Sequence, residues 1–315
     1  LFYILQFDIF ADQVKRLSLG GSQPNISPNS IEEIKIPLPP LQTQTKIVSI
    51  MQKAYQEKKE KEEQARKLLE SIDDYVLGEL GIKMPKIQKE MVFEVASDKV
   101  ENSRIDAQYW QPFLEKIEQA INNGQYKTQK LKNFITKIHY GASTSNAYAD
   151  DGIPFLRILN LKPNHFNLSD VMYLPEDFRK ELGNAFVKAG DLLISRSGTV
   201  GIVSVVPKEA DGFAFGSFMI KFCLNNKEIN KEFVSIWLNN KLNKLLTERE
   251  KIGAIQGNIT ISTIENFTVP IPLFSTQSKI AEKVKSIYSQ AQKLKKDADD
   301  NLQTAKKKVE QMILG

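Results

Sequence analysis

The chain has 315 residues, of which 41% are hydrophobic and 26% charged, a composition typical of globular proteins and not of disordered ones. One cysteine excludes an internal disulfide and fits a reducing cytoplasm, and two histidines leave too few soft ligands for a structural zinc site. The net charge of +5 weakly favours an anionic partner, and no apolar run approaches the roughly 18 residues that a membrane span needs.

The most informative pattern is an internal repeat. Residues 20–47 align without a gap to residues 253–280, at an offset of 233 positions, and 12 of the 28 aligned residues are identical. Average composition would give about two identities by chance. Because each copy has the same parts in the same order, we interpret the chain as two repeats of one unit.

The first 40 residues are predicted to be the end of a globular domain. Residues 1–19, shifted by the repeat offset, fall on residues 234–252, which have the pattern of a helix that closes the central domain. A loop with glycine and asparagine follows, and then a short β-rich segment that ends in Pro-x-Pro. Two prolines confine such a segment to an edge strand or an extended connector. We therefore interpret residues 1–40 as the C-terminal remnant of a first domain whose body is absent.

Two long helices are predicted, over residues 41–82 and 274–315. In both, apolar residues recur mostly at alternating spacings of three and four, and the other positions are rich in Lys, Glu, Asp and Gln. So narrow an apolar stripe is typical of a coiled-coil seam, which neither helix could bury alone. The two helices are therefore expected to pair as an antiparallel coiled coil.

A linker over residues 83–102 and a compact domain over residues 103–273 are predicted between the two helices. Short β-like runs separated by turn signals, such as GIPFLRILNL and FAFGSFMIKFCL, predict a twisted, mixed β-sheet. Helical patterns bracket these runs at residues 108–123 and 231–251. The fold class is therefore predicted to be α+β.

Motifs for catalysis are missing from the sequence. An adenine methyltransferase needs a glycine-rich cofactor loop and an Asn/Asp-Pro-Pro-Tyr/Phe motif, but the one Pro-Pro pair, at Pro39, follows a leucine. A phosphate-binding loop of the GxxxxGK(S/T) type is also absent. We predict a chain that has no chemistry of its own and binds neither a cofactor nor a metal.

The repeated block resembles the specificity subunits of type I restriction-modification systems. It reads N-I-(S/T)-x-x-x-I-E-x-x-x-(I/V)-P-(L/I)-P and then T-Q-x-K-I, at residues 25–47 and 258–280. Residues 189–198 (AGDLLISRSG) are similar to a strand and glycine turn of the target recognition domains in that family. Residues 104–110 (RIDAQYW) are similar to the beginning of such a domain.

The resemblance implies a division of labour. Recognition domains read short half-sites in double-stranded DNA, and the long helices set the half-site spacing and dock methyltransferase (M) subunits. S-adenosylmethionine and ATP are then expected on the M subunits and on a restriction (R) subunit, and not on this chain. The expected setting is bacterial host defence in the cytoplasm. A single complete recognition domain also suggests a homodimer, which would regain two half-sites.

Two other functions are left open by the sequence. The chain could be the specificity module of a fused type II restriction-methyltransferase enzyme, or a coiled-coil scaffold that separates protein-binding domains. A strong, salt-sensitive interaction with DNA would argue against the scaffold.

Candidate DNA contacts lie in three loops, where residue types that read base edges or bind phosphate are concentrated. The loops cover residues 137–146, 195–199 and 251–258. An arginine inside the apolar run PFLRIL needs a buried carboxylate or an anionic ligand, which makes that arginine a further candidate. The full set is Lys137, Tyr140, Ser143, Thr144, Asn146, Arg157, Ser195, Arg196, Ser197, Thr199, Lys251, Gln256 and Asn258.

Overall fold

The computed structural model describes residues 2–18, 25–101, 104–144, 148–225, 227–252 and 257–314. The chain divides into two compact units. The first combines Leu1–Ser71 with Ser286–Gly315, and the second is Ile72–Lys285.

The helices of the described residues include two that are far longer than the others, as the apolar spacing predicted. In chain order they are α1 (Asp8–Leu17), α2 (Pro28–Glu32), α3 (Leu41–Glu79), α4 (Ser97–Val100), α5 (Pro112–Asn122), α6 (Arg179–Leu182), α7 (Lys231–Asn239), α8 (Lys241–Arg249), α9 (Ile261–Glu265) and α10 (Phe274–Leu314). Among the described residues, no helix combines the length and the apolar character that a membrane crossing requires.

The strands of the described residues all belong to the second unit. They are β1 (Thr128–Lys130), β2 (Ile135–Tyr140), β3 (Ile153–Leu156), β4 (Leu161–Lys162), β5 (His165–Phe166), β6 (Met172–Leu174), β7 (Leu192–Ser195), β8 (Val203–Val205), β9 (Ala214–Phe215), β10 (Met219–Leu224) and β11 (Thr268–Pro270). A four-stranded antiparallel sheet has the order β2-β10-β7-β8, and a three-stranded sheet has the order β6-β3-β9 with β3 parallel to β9. Two further pairs are β1-β11 and β4-β5. The predicted α+β class with mixed strand pairing is confirmed.

In the first unit, α3 and α10 pack through their apolar stripes. Met51, which is fully buried, and Ile47 lie in one cluster with Leu302 and Val309. Further along α3, Lys58 forms an ion pair with Asp299, which comes earlier in α10 than the cluster residues. Later positions in α3 therefore contact earlier positions in α10. The two helices are antiparallel, as predicted. Burying a side chain such as Met51 contributes about 1.5–3 kcal/mol.

An apolar core of the second unit lies between the two larger sheets. Phe215 of β9 and Leu156 of β3 are buried together with Leu193 of β7 and Met219 of β10. Because β9 leads almost directly into β10, one stretch of chain contributes to both sheets. The core therefore fixes the three-stranded sheet against the four-stranded sheet.

The repeat is visible in local structure. Ser27 caps α2 by accepting a hydrogen bond from the Ser30 N–H at 3.0 Å, and Thr260 caps α9 by accepting one from the Thr263 N–H at 3.3 Å. Both helices are five residues long and occupy equivalent positions in the repeat. Side-chain oxygens of Ser and Thr at the N-cap satisfy a donor that the first helical turn leaves unpaired.

A glutamine in the first turn of each long helix also makes the same contact in both copies. The Gln44 side-chain amide donates to the Pro39 carbonyl at 2.8 Å, and the Gln277 amide donates to the Pro272 carbonyl at 2.9 Å. The Pro-x-Pro segment is thereby tied to the helix that follows it. Gln277 is fully buried and also accepts a hydrogen bond from the Asn230 N–H at 2.8 Å.

Two helix boundaries differ from the predictions. The helix expected over residues 231–251 is two helices, because the backbone of Asn240 is extended and its side chain caps α8 by accepting from the Leu242 N–H at 3.0 Å. Phe7, at the equivalent position in the repeat, likewise precedes α1. The helix expected over residues 108–123 begins only at Pro112, since proline is favoured in the first helical turn.

The two equivalent glutamines provide a matched pair of variants. Gln277→Ala removes the partners of the carbonyl of buried Pro272 and of the N–H of half-buried Asn230, and we expect it to cost about 1–3 kcal/mol. Gln44→Ala removes a half-buried contact that water can replace, and we expect it to cost less than about 1 kcal/mol. Both tryptophans, Trp110 and Trp237, lie in the second unit. Tryptophan fluorescence in urea should therefore show a lower midpoint for Gln277→Ala and an unchanged midpoint for Gln44→Ala. Equal shifts would contradict this assignment.

Candidate nucleic-acid interface

Loops from distant parts of the sequence meet at one end of the four-stranded sheet. Strand β10 is antiparallel to both of its neighbours, with Ile220 opposite Tyr140 and Met219 opposite Ser195. Strands β2 and β7 therefore end where β10 begins. We call this place the loop end and define it by residues 140–144, 195–199, 216–218 and 257–261.

Backbone hydrogen bonds join these segments to one another. The Ala142 N–H donates to the Phe215 carbonyl at 3.0 Å, and the Ser217 N–H donates to the Ala142 carbonyl at 2.8 Å. The Arg196 N–H donates to the Phe218 carbonyl at 2.9 Å. The segment before β10 thus lies between the first predicted loop and the second.

The third predicted loop is attached to the second. The Ile259 N–H donates to the Arg196 carbonyl at 3.0 Å, and Ser197 and Asn258 form an antiparallel bridge. Ile252 and Asn258 exchange two backbone hydrogen bonds of 2.9 Å, which close the base of this loop. The structure therefore brings together parts of all three loops that the sequence singled out separately.

Arg196 lies at the centre of the loop end. The Cζ atom of its guanidinium is 4.8 Å from the ring centroid of Tyr140, a distance typical of a cation–π contact. Its Nη1 donates to the Ser217 carbonyl at 3.5 Å, and its buried Nε makes no hydrogen bond within the described residues. Tyr140 is 41% exposed, so the pair borders the solvent.

Arg196 differs from the other arginines of the second unit in its lack of a carboxylate partner. The other four form ion pairs: Arg104 with Asp106, Arg157 with Asp170, Arg179 with Glu176, and Arg249 with Glu118. Within the part of the chain that the structure describes, Arg196 forms none, and the remaining residues of the sequence include no Asp or Glu. The positive charge of Arg196 is therefore available to a ligand.

Arg157, directly after β3, pairs with a carboxylate within the domain, but with the exposed Asp170 and not with the buried carboxylate that its sequence context suggested. Its Nη2 donates to the Asp170 carboxylate at 2.6 Å and to the Asp170 carbonyl at 2.9 Å. Its Cζ lies 5.9 Å from the Tyr148 ring centroid, and its buried Nε has no hydrogen-bond partner in the described residues. One edge of this guanidinium is thus engaged within the domain.

The serines of the second loop are buried, whereas its threonine is exposed. Ser195 is fully buried and its hydroxyl accepts from the Ile202 N–H at 2.8 Å, while Ser197 is 5% exposed. Gly198, between Ser197 and Thr199, has a φ of +72°, which favours glycine. Both serines therefore lie where they shape the loop, whereas Gly198 and Thr199 are exposed to solvent.

The remaining predicted residues differ in exposure. Ser143 and Lys137 are exposed, and Thr144 is half-buried. Lys251 is half-buried and forms an ion pair with Glu248. Asn146 and Gln256 lie outside the described residues.

Sequence reasoning missed two features of this region. Phe218, before β10, is 50% exposed at the loop end, and an aromatic residue in an apolar run gives no signal of such exposure. Arg104 donates through Nη1 to the carbonyls of Arg249 and Lys251 at 2.9 Å each, so it braces the segment that leads into the third loop. Residues 104–110 were singled out only as the beginning of a domain.

Comparison with known proteins decides the family. The model of the type I restriction modification DNA specificity domain matches residues 1–71 and 123–303, which is more than half of the chain. The chain belongs to this family. The specificity subunits of type I restriction-modification systems are non-catalytic subunits for sequence-specific DNA recognition, so the predicted family and the predicted absence of catalysis are confirmed.

Individual relatives agree with this membership. The chain is 24% identical over 318 residues to the type I restriction enzyme MjaVIII specificity subunit of Methanocaldococcus jannaschii, covering 100% of this chain and 68% of the relative. It is 23% identical over 300 residues to the EcoKI specificity subunit of Escherichia coli K12, covering 93% of this chain and 59% of that protein. The chain thus spans about three fifths to two thirds of the length of these relatives.

A solved structure shows the same fold. It comes from work on complex assembly and conformational transition of the type I R-M system, and it matches with a TM-score of 0.53 and 17% sequence identity. The match covers 99% of this chain and 68% of the solved one. Long helices combined with mixed sheets are therefore the architecture of this specificity-subunit family member, as its sequence predicted.

A polar cluster lies within the four-stranded sheet of this family member. Lys221 of β10 lies 3.2 Å from the Asp191 carboxylate, which also accepts a hydrogen bond from the Cys223 thiol at 3.0 Å. Burial acts to raise the pKa of Asp191, but the hydrogen bonds from the Lys188 N–H and from Cys223, together with the charge of Lys221, outweigh burial and lower it. Burial and the charge of Lys221 lower the pKa of His139. The described residues include no group of three side chains suited to hold a metal ion.

The thiol of this cluster gives a prediction about reactivity. Burial and the hydrogen bond to Asp191 raise the pKa of Cys223 to about 11, from an ordinary value of 9.0. The thiolate reacts with alkylating reagents, so at pH 8 the folded protein should react with iodoacetamide roughly 100-fold more slowly than the same chain in denaturant. The rate should keep rising with pH up to about 11. A folded-state rate that levels off near pH 9 would contradict the raised pKa.

Proposed function

We propose that the loop end of the second unit is the surface that contacts double-stranded DNA. The observation that carries this proposal is the convergence of three separately predicted loops around Arg196, which, unlike the other arginines of the second unit, forms no ion pair within the described residues. The three loops carry exposed or half-buried donors and acceptors: Tyr140, Ser143, Thr144, Thr199, Lys251 and Asn258. These residue types read base edges or bind phosphate oxygens. Ser195 and Ser197 would act through the shape of their loop.

We further propose how the rest of the chain serves this contact. Residues 103–273 form the complete recognition domain for one half-site, and residues 1–40 belong to a first such domain. The helices over residues 41–82 and 274–315 set the half-site spacing and dock M subunits, and residues 83–102 link the first helix to the domain. The M subunits bring S-adenosylmethionine and an R subunit brings ATP. The free thiol of Cys223 supports a reducing, cytoplasmic setting.

Two copies of the chain could form a symmetric dimer that reads an interrupted palindrome. A two-fold axis would present the recognition surface of residues 103–273 of each copy to its own half-site. Sedimentation with and without DNA tests it. A strict monomer in both conditions would rule out the dimer and leave the DNA contact standing.

The proposed function is tested by selecting bound duplexes from a random pool, using the full chain together with a cognate M subunit. We expect one short motif to be enriched, with an affinity that falls as salt rises because bound phosphates release counterions. Enrichment of no motif would reject the proposal and favour the scaffold.

Lys137 and Lys208 form a matched pair for the DNA contact. Both are exposed lysines of the same domain. Lys137 lies on β2 opposite Cys223, three residues before Tyr140 at the loop end, whereas Lys208 lies three residues beyond the last residue of β8, on the opposite edge of the sheet. Lys137→Ala should weaken binding about equally for all sequences and reduce the slope of log affinity against log salt by about one. Lys208→Ala should leave the slope unchanged. Equal effects from the two variants would contradict the proposed surface.

A further inference from the structure

We propose that Arg196 reads a guanine in the half-site and that Tyr140 is the positioning residue that holds its guanidinium for this contact. The inference rests on the proposed function and deepens it by naming a base and the side chain that selects it. Guanine presents two acceptors in the major groove, O6 and N7, and an arginine fork can donate to both at once.

The first support is the pairing state of the arginines. An arginine placed for folding satisfies its charge with a carboxylate, as Arg104, Arg157, Arg179 and Arg249 do. Arg196 has no such partner within the described residues, although its Nε is buried. Arg196 is half-buried, and partial burial of a guanidinium without a counter-charge costs free energy, which acceptors of a ligand at the rest of the group can offset.

The second support is the fixed orientation of the group. The Tyr140 ring lies 4.8 Å from Cζ, and the Ser217 carbonyl accepts from Nη1 at 3.5 Å, so contacts from two neighbouring segments hold the guanidinium. The backbone of Arg196 is itself fixed, because its N–H donates to Phe218 and its carbonyl accepts from Ile259. A bidentate contact to O6 and N7 of guanine needs a fork held in a defined plane, which these contacts provide.

The test is selection from a random duplex pool with the full chain and its M subunit, repeated with Arg196→Lys. Lysine keeps the charge but loses the fork. We expect the enriched motif to contain a guanine whose preference falls about 10- to 100-fold in the variant, while the other positions stay as they were. Arg179→Lys is the matched control, since Arg179 also faces a ring, Phe186 at 5.8 Å, but is ion-paired with Glu176. It should leave every position unchanged.

Variants of Tyr140 test the positioning role. Tyr140→Phe keeps the ring and should keep the guanine preference. Tyr140→Leu removes the ring face and should reduce that preference by about 2- to 5-fold, with little effect on binding to unrelated DNA. Equal behaviour of the two variants would overturn the role of Tyr140.

A measurement on the unaltered protein guards against a variant that fails to fold. Replacing the preferred guanine by 7-deazaguanine removes the N7 acceptor and should weaken binding by about 10-fold. A wild-type motif without a required guanine, a uniform loss over all sequences in Arg196→Lys, or tolerance of 7-deazaguanine would each overturn the guanine contact while the DNA-binding function stands. Absence of any salt-sensitive DNA binding by the wild-type complex would instead reject the proposed function.

Discussion

Strand β10 determines where the candidate interface can be. It pairs in antiparallel register with β2 on one side and β7 on the other, so the ends of those strands must fall beside its first residues. Two loops that are more than 50 residues apart in sequence, at residues 140–144 and 195–199, thereby become neighbours. The buried ion pair between Lys221 of β10 and Asp191 belongs to the same sheet. Breaking one partner of such a pair leaves an uncompensated buried charge, so a misaligned β10 is disfavoured.

The sequence was sufficient for whatever depends on local pattern. The spacing of apolar residues gave both long helices, and the antiparallel pairing follows because a narrow stripe must be covered. It was insufficient for the break at Asn240, because the helical pattern continues through that residue. There the extended backbone is fixed by non-local contacts, including a hydrogen bond of 2.8 Å from the Asn240 side chain to Asp73 on α3.

For the candidate site, too, the sequence predicted the features that depend on local composition and missed those that depend on distant residues. Residue composition was enough to select the three loops, because polar and glycine-rich loops are where base and phosphate contacts are made. It could not assign roles to individual side chains, since those depend on distant partners. Asp170 engages Arg157 from 13 positions away, and the fold covers Ser195 completely. In the sequence, Arg196 is one arginine among several. It is distinguished by the structure, in which the other arginines of the second unit form ion pairs with carboxylates.

The two copies of the repeat have similar sequences but different surroundings. Comparing them shows which structural features depend on the local segment and which depend on tertiary packing. The capping hydrogen bonds and the glutamine contacts recur in both copies, so about 28 residues of similar sequence specify these details in two different packing environments. Burial does not recur: Ile264 and Val269 are fully buried, whereas their equivalents Ile31 and Ile36 are 55% and 42% exposed. In the second copy the strand pair β1-β11 adds a neighbour to this segment. The apolar residues of the repeat are therefore explained by packing against a domain, while its polar residues are explained by the segment itself.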